Sequence, residues 1–264
     1  MNAKVNDIIK IMESIAPHEL SEQWDNTGFL VGHKDMPVKK IMVALDASPE
    51  VVEQAVAQNV QMLITHHPII FKAIKSVRDC NWQQKLLLTC IENKIAVYSA
   101  HTNLDSVMGG VNDVLTDKLD LQMTSVLSKE TIEDTGIGRI GFLSKEMTLQ
   151  DFAERVKRVF SLDYLLVADA GKQVKKVAIC GGAGADFIAD ALAAGADTYI
   201  TGDVKYHEVQ DAAFGGLNII DAGHQGLEIH VVAALADKIA LRLAAGGWAT
   251  QVVSAKETPI FKQY

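Results

Sequence analysis

The chain has 264 residues, 48% of them hydrophobic and 22% charged, with 33 Asp and Glu against 25 Lys and Arg for a net charge of −8. That is enough apolar material for one large or two small packed cores, and it excludes the disordered and fibrous classes. A pI near 5.5, with no run of five or six like charges, excludes a general nucleic-acid coat that works by neutralising phosphates, so an anionic ligand must be met locally.

The first twenty residues place Val5, Ile8, Ile9, Met12 and Ile15 at helical spacing among Lys4, Asp7, Lys10 and Glu13. This predicts an amphipathic helix and not a signal peptide. No eighteen consecutive residues are apolar, so no membrane span is expected. Cys80, Cys90 and Cys180 are odd in number and lack C-x-x-C spacing, which fits plain thiols in a reducing, cytoplasmic compartment.

Short Val- and Ile-rich runs then alternate with helical patterns. Strands are expected at 41–46, 61–65 and 95–100, with helices from Pro49 and after Gly110. The region 126–172 holds a strand pair that includes 136–143 and a helix near 148–160. Strands at 177–180, 198–201 and 218–221 follow, separated by helices near 185–194 and 204–214, and a long helix is expected after Gly226. The alternation implies βαβ units and an α/β fold.

The two halves also resemble each other. Residues 38–67 lie without gaps on 174–203 at an offset of 136, with eight of thirty positions identical, where chance gives roughly two. SAHTNLD (99–105) then falls on DAGHQGLE (221–228) at an offset of 123, which implies an insertion within 72–94 in the first half. The expected architecture is an α/β fold of two pseudo-symmetric, intertwined, three-layer lobes from an internal duplication, 1–125 and 126–264.

Eight histidines give the chemistry. His66 and His67 follow a strand, at the end where open α/β sheets collect ligands. His101 precedes Asp105 by four residues and His224 precedes Glu228 by four, each set after a strand; on a helix this spacing puts both side chains on one face. Imidazole and carboxylate donors suit a borderline divalent ion such as Zn, Mn, Fe or Ni, and the set is large enough for two ions about 3.5–4 Å apart.

HHPIIF (66–71), SAHTNLD (99–105), TGDVKYHE (201–208) and DAGHQGLE (221–228), with WDNTGFLVG (24–32), resemble the Nif-three-like family, whose members carry the label GTP cyclohydrolase I type 2 homologue. The resemblance covers essentially the whole chain and matches the short form that lacks an inserted domain. It implies a toroidal homohexamer with two divalent metal ions per subunit, held by His66, His67, Asp105, His224 and Glu228. His101 matches a histidine beside the metals, either a support to the ligands or a catalytic acid/base. Many relatives have Ser or Thr where this chain has Leu227, which puts one supporting hydrogen bond in question.

Three features stay open on sequence. Trp24, Asp25 and Asn26 either line a substrate cavity or form an ordinary turn. The glycine-rich 180–186 either cradles a phosphate or makes a tight turn, the turn being favoured because no nucleotide fingerprint is complete. Asp203 and His207 are read as helix-capping or cavity-wall residues, and His18, His33 and His230 as surface or packing residues. The functional expectation is a metal-dependent hydrolase of a small, anionic, nucleotide-like or phosphorylated substrate. The alternatives are a metal chaperone, a sensor or interaction protein, and a metal that only locks the structure.

Overall fold

A computed structural model describes residues 1–129, 132 and 134–262. In chain order the elements are β1 (Ala3–Lys4), α1 (Val5–Ile15), β2 (Gly28–Val31), β3 (Pro37–Val38), β4 (Lys40–Ala44), α2 (Pro49–Ala57), β5 (Met62–Thr65), α3 (Trp82–Glu92), β6 (Ala96–Ser99), α4 (Thr102–Ser106) and α5 (Val111–Lys118). They continue with β7 (Gln122–Lys129), β8 (Gly136–Met147), α6 (Leu149–Val159), β9 (Leu166–Ala168), β10 (Val174–Ala183), α7 (Ile188–Ala193), β11 (Thr198–Gly202), α8 (Tyr206–Phe214), β12 (Asn218–Asp221), α9 (His224–Ala245) and β13 (Gln251–Ser254). Helix starts follow local chemistry: Ser48 accepts a hydrogen bond from the Val51 amide ahead of Pro49, Asn81 caps α3 and Thr148 caps α6. Among the described residues no helix is long and apolar enough to cross a membrane.

The chain forms two compact units, each made of two stretches: Met1–Leu104 with Val231–Thr258, and Asp105–His230 with Pro259–Tyr264. The boundary expected at 125/126 divides the chain by sequence likeness. Packing divides it at 104/105, at 230/231 and at 258/259.

The first unit is built on a five-stranded sheet of order β13-β4-β5-β6-β2, in which β13, β4, β5 and β6 are parallel and β2 is antiparallel. Every residue of β5 and β6 is buried, as expected for central parallel strands covered on both faces. Met42, Leu63 and Val97 pack with Val51, Ala55, Leu87 and Cys90 from α2 and α3. Each fully buried aliphatic side chain of this kind contributes about 1.5–3 kcal/mol. Trp82 and the polar stretch around it, expected as an insertion, open α3.

The second unit has a six-stranded sheet of order β7-β8-β10-β11-β12-β9. Its parallel centre, β10, β11 and β12, repeats the pairing of the first unit: Val177 opposite Thr198 corresponds to Ile41 opposite Met62, the offset of 136. Asn218 opposite Thr198 corresponds to Ala96 opposite Met62, and 218 lies 122 after 96. One residue therefore enters between the strand and the histidine in the second half. Gly223 sits there with φ +75°, a conformation glycine adopts without strain.

Helix α9 starts at His224, two residues before the expected start at Gly226. A Cβ at Gly226 would lie 2.6 Å from Leu162 Cδ2, so this glycine permits close packing inside the helix and does not mark its boundary. Leu227, the departure from the family pattern, is fully buried and serves the core.

One charged side chain ties the second unit together. Arg139, 1% exposed, donates from Nε and Nη2 to the two carboxylate oxygens of Asp113, both at 2.9 Å, and from Nη1 to the carbonyls of Gly136 and Gly138, both at 2.8 Å. It also reaches the Val107 carbonyl at 3.2 Å, close after Asp105. Removing one partner of such a pair leaves the other charge uncompensated. Arg139→Met should lower unfolding stability by about 3–5 kcal/mol in urea titrations; a change below about 1 kcal/mol would show that the pair behaves as a solvated surface contact.

Candidate metal centre

The expected site residues sit at carboxyl ends of parallel strands in both units. In the first unit, β5 runs out at Thr65 and the next two amides are still fixed, His66 N–H donating to Ala44 O at 3.1 Å and His67 N–H to Leu45 O at 2.9 Å. Buried hydroxyls complete the strand ends: Thr65 Oγ1 donates to the His67 carbonyl at 2.7 Å and lies 2.8 Å from Ser99 Oγ. The backbone turn lets consecutive imidazoles approach each other. The rings of His66 and His67 are 5.0 Å apart, and His101, after β6, lies 5.1 and 5.5 Å from them. One nitrogen from each of the three lies within 4.8 Å of the others, so these residues could hold a metal ion.

The other ring nitrogen is occupied in every case. His66 Nδ1 faces the Ala100 carbonyl at 2.8 Å, His67 Nδ1 faces Asp46 at 2.9 Å and His101 Nδ1 faces Asp25 at 2.9 Å. A carbonyl or an ionised carboxylate only accepts, so the proton of each neutral imidazole belongs on Nδ1, and Nε2 presents its lone pair. That is the tautomer a metal ligand needs, held by the hydrogen bonds that orient the ring.

The supports are themselves anchored. Glu257 takes the amides of Leu45 and Asp46 on its two oxygens at 2.6 and 3.0 Å, which fixes the turn that carries Asp46. Asp25, with a fully buried carboxylate, also accepts from the Thr102 amide and hydroxyl at 3.1 and 2.6 Å. Burial by itself would raise the Asp25 carboxyl, but the hydrogen bonds from His101 and Thr102 outweigh it and hold the group well below the usual carboxylate range. A folded-state value below the unfolded one contributes stability at pH above about 4, and that stability is lost as the pH falls through the folded value.

In the second unit the same wiring recurs on His224. Its Nδ1 lies 2.8 Å from Asp203, and its Nε2 lies 3.0 Å from Glu228 Oε2, one helical turn on. Asp203 is therefore an orienting carboxylate, whereas the start of α8 is capped by Glu208, which accepts the Lys205 amide. His207 packs edge-on against Tyr206. Asp203 occupies the place that His67 holds in the first repeat, so a histidine in one half is matched by a histidine-orienting carboxylate in the other.

The glycine-rich segment is the tail of β10, and its role is spatial. A Cβ on Gly182 (φ +67°) would lie 2.4 Å from Glu228 Oε1 and 3.4 Å from His224 Nε2, and one on Gly181 would lie 3.3 Å from Glu228 Cγ. The glycines make the hollow into which Glu228, 4% exposed, fits. Asn112 ties this segment to the backbone of Asp105, accepting from the Gly181 amide at 3.0 Å and donating to the Asp105 main-chain carbonyl at 3.1 Å. Burial, followed by the charges of Asp105 and Glu228, pushes the Cys180 thiol far up, and burial raises Cys90 to about 11. Both remain plain thiols, and Cys80 is exposed.

Sequence reasoning missed Asp46, Asn112 and Glu257 and left Asp25 and Asp203 without their roles. His18 hydrogen-bonds Thr27 and His230 approaches the Phe160 carbonyl, both as packing residues. Asp46→Ala and Asp203→Ala should each weaken divalent-ion binding about 10- to 100-fold in calorimetric titrations, with little change in the melting of the metal-free protein. Less than a twofold loss in both would contradict the orienting role.

Comparison with known proteins agrees with this architecture. A sequence model of the family described as Duf34/NIF3 (NGG1p interacting factor 3) matches residues 3–259. A Clostridium acetobutylicum protein named GTP cyclohydrolase 1 type 2 homolog is 39% identical over 242 residues, 90% of each chain. A Streptococcus pneumoniae protein of the same name is 37% identical over 256 residues, 95% of this chain and 96% of that one. The crystal structure of a Bacillus cereus protein related to NIF3 superposes with a TM-score of 0.94 over 100% of both chains at 27% identity. With its motifs, its duplicated α/β sheets and its histidine clusters in place, the chain belongs to the Duf34/NIF3 (NGG1p interacting factor 3) family.

Proposed function

We propose that His66 and His67 in the first unit, and Asp105, His224 and Glu228 in the second, are the ligands of two divalent metal ions, and that the protein hydrolyses a small nucleotide-like or phosphorylated substrate. The observation that carries this reading is the shared wiring of the histidines, each tied at Nδ1 to an oxygen that only accepts, which leaves Nε2 as the atom to coordinate, and in His224 that atom already faces Glu228 Oε2 at 3.0 Å. Three imidazoles with two carboxylates form a donor set of the borderline N/O type that Zn, Fe, Mn and Ni share. The hollow that Gly182 leaves at Glu228 suits a carboxylate that serves a ligand function.

Two such ions supply Lewis acidity, lowering the pKa of water and polarising the bond under attack. The chain's residues do the rest. Asp105 and Glu228 offset two of four positive charges, so the centre keeps an excess of about two that attracts an anionic substrate. His101, held as the Nδ1–H tautomer by Asp25, presents Nε2 to accept a proton or, once charged, to give one to the leaving group. The name carried by the relatives points to GTP ring opening as one reaction to assay.

Partial exposure of His67 and His224, 22% and 34% at the side chain, favours a second reading in which the metals exchange with a partner and the protein is a chaperone or sensor. Release of ions to an apo-acceptor on the timescale of seconds to minutes, without turnover, would support that reading. A cytoplasmic toroidal homohexamer belongs to the same proposal, on the strength of the motif resemblance and the plain thiols, and light scattering of the purified protein tests the assembly.

Elemental analysis should find two ions per chain, and a panel of GTP, phosphoesters and cyclic amides should contain a substrate. His101→Gln should keep both ions and lose on the order of 100-fold in turnover, whereas Glu228→Gln should lose metal. Two tightly bound ions with no turnover on any compound would contradict the hydrolase, and loss of an ion in His101→Gln would make that residue a ligand.

A further inference from the structure

The side chains of Trp24, Asp25 and Asn26 do three different things within the first unit. Asp25 turns inward to His101 and Thr102. Asn26 Nδ2 donates to the Ile70 carbonyl at 2.5 Å, which ties the segment before Phe71 to the segment around Trp24. Trp24 is left outside, 60% exposed, and Phe71 is 47% exposed. Their rings are nevertheless ordered against each other, 5.9 Å apart at 68°, and both stand edge-on to His101 at 6.1 and 6.2 Å. Two large rings displayed side by side, on backbone pinned by partly buried hydrogen bonds, form a fixed apolar surface open to a ligand.

The segment that follows Phe71 carries positive charge. Lys72, Lys75 and Arg78 follow Phe71 within seven residues, with no acid among them, in a protein that carries 33 acids and 25 bases. All three are exposed. An aromatic face followed closely in the chain by exposed cations complements a planar ring that carries an anionic group.

We propose that Trp24 and Phe71, with His101 at their base, form a stacking subsite for the planar ring of a nucleotide, whose phosphate is drawn to the cations of 72–78. The subsite deepens the hydrolase reading, on which its purpose rests, by naming the half of the substrate that is held by stacking. Stacking reads a π-face and not a hydrogen-bonding edge, so the subsite distinguishes nucleotides from sugar phosphates more than one base from another. Stacking on an aromatic side chain is worth about 5- to 150-fold in affinity. His101 also touches the His66 and His67 rings, so a ring stacked here lies next to the residues that present Nε2.

The test is calorimetric titration of the full-length, metal-loaded protein with guanosine 5′-monophosphate, adenosine 5′-monophosphate and ribose 5-phosphate. Both nucleotides should bind at least about 5-fold more tightly than ribose 5-phosphate. Trp24→Ala and Phe71→Ala should each remove most of that preference while ribose 5-phosphate affinity and metal content stay unchanged, and Trp24→Phe should keep it. Changing Lys72, Lys75 and Arg78 together to Gln should weaken all three ligands and flatten their salt dependence. Equal affinities in the unaltered protein, or Trp24→Ala weakening every ligand alike, would overturn the proposal. A smaller assembly by light scattering in Trp24→Ala would also overturn it, since the rings would then be covered by a second copy. Repeating the titration after chelation separates the two claims. A protein that binds no metal yet prefers nucleotides defeats the hydrolase reading alone, and one that binds two ions without the preference defeats the stacking subsite alone.

Discussion

Each of four histidines turns its Nδ1 to an oxygen that can only accept a hydrogen bond, and the chemistry assigned to this protein depends on that constraint. Imidazole has two nitrogens and one proton, so fixing the proton on one nitrogen exposes a lone pair on the other. Ala100, Asp46, Asp25 and Asp203 supply the acceptors. Three of the four are carboxylates, which also make the ring a more basic donor to a metal. Without them the same histidines would sample both tautomers and several rotamers, and binding an ion would have to order them first.

The acceptors are available because of how the α/β units end. A parallel strand buried on both faces delivers its last residues to the carboxyl edge with the backbone still fixed, as the amides of His66 and His67 show. The following loops then set short polar side chains beside the rings. Glu257, from the last part of the first unit, braces the turn that carries Asp46. Arg139 does comparable work in the second unit, where it gathers the carbonyls around the end of α4. Duplication supplied two such edges, and the two then diverged: where the first repeat has His66 and His67, the second has Gly202 and Asp203, one small enough for the approach of the His224 backbone and the other a carboxylate for its ring.

The parts of this arrangement that were legible in sequence are those encoded locally. Val- and Ile-rich runs located the central strands within a residue or two, except β10, which extends three residues beyond each end of 177–180, because a strand covered on both faces must be apolar along its buried length. The i, i+4 spacing of His224 and Glu228 was legible because one helix carries both. The acceptors were not legible as such, since Asp46 lies 21 residues from His67 and Asp25 lies 76 from His101. Only tertiary packing brings them together. The glycines at 181 and 182 were read as a turn, and their reason for being glycine lies in Glu228, far along the chain. Gly226 misled in the same way: its local preference says helix end, while contact with Leu162 makes glycine the residue that fits there.

The most direct measurement is the tautomeric state of His66, His67, His101 and His224 in the metal-free protein, read from long-range nitrogen–proton correlations in NMR spectra above pH 7. The account predicts the Nδ1–H form for His66, His67 and His101 and a proton on Nδ1 of His224, whose Nε2 faces Glu228, with Nε2 resonances that shift when a divalent ion is added. Nε2–H forms at these positions, or Nε2 resonances that ignore added metal, would contradict it.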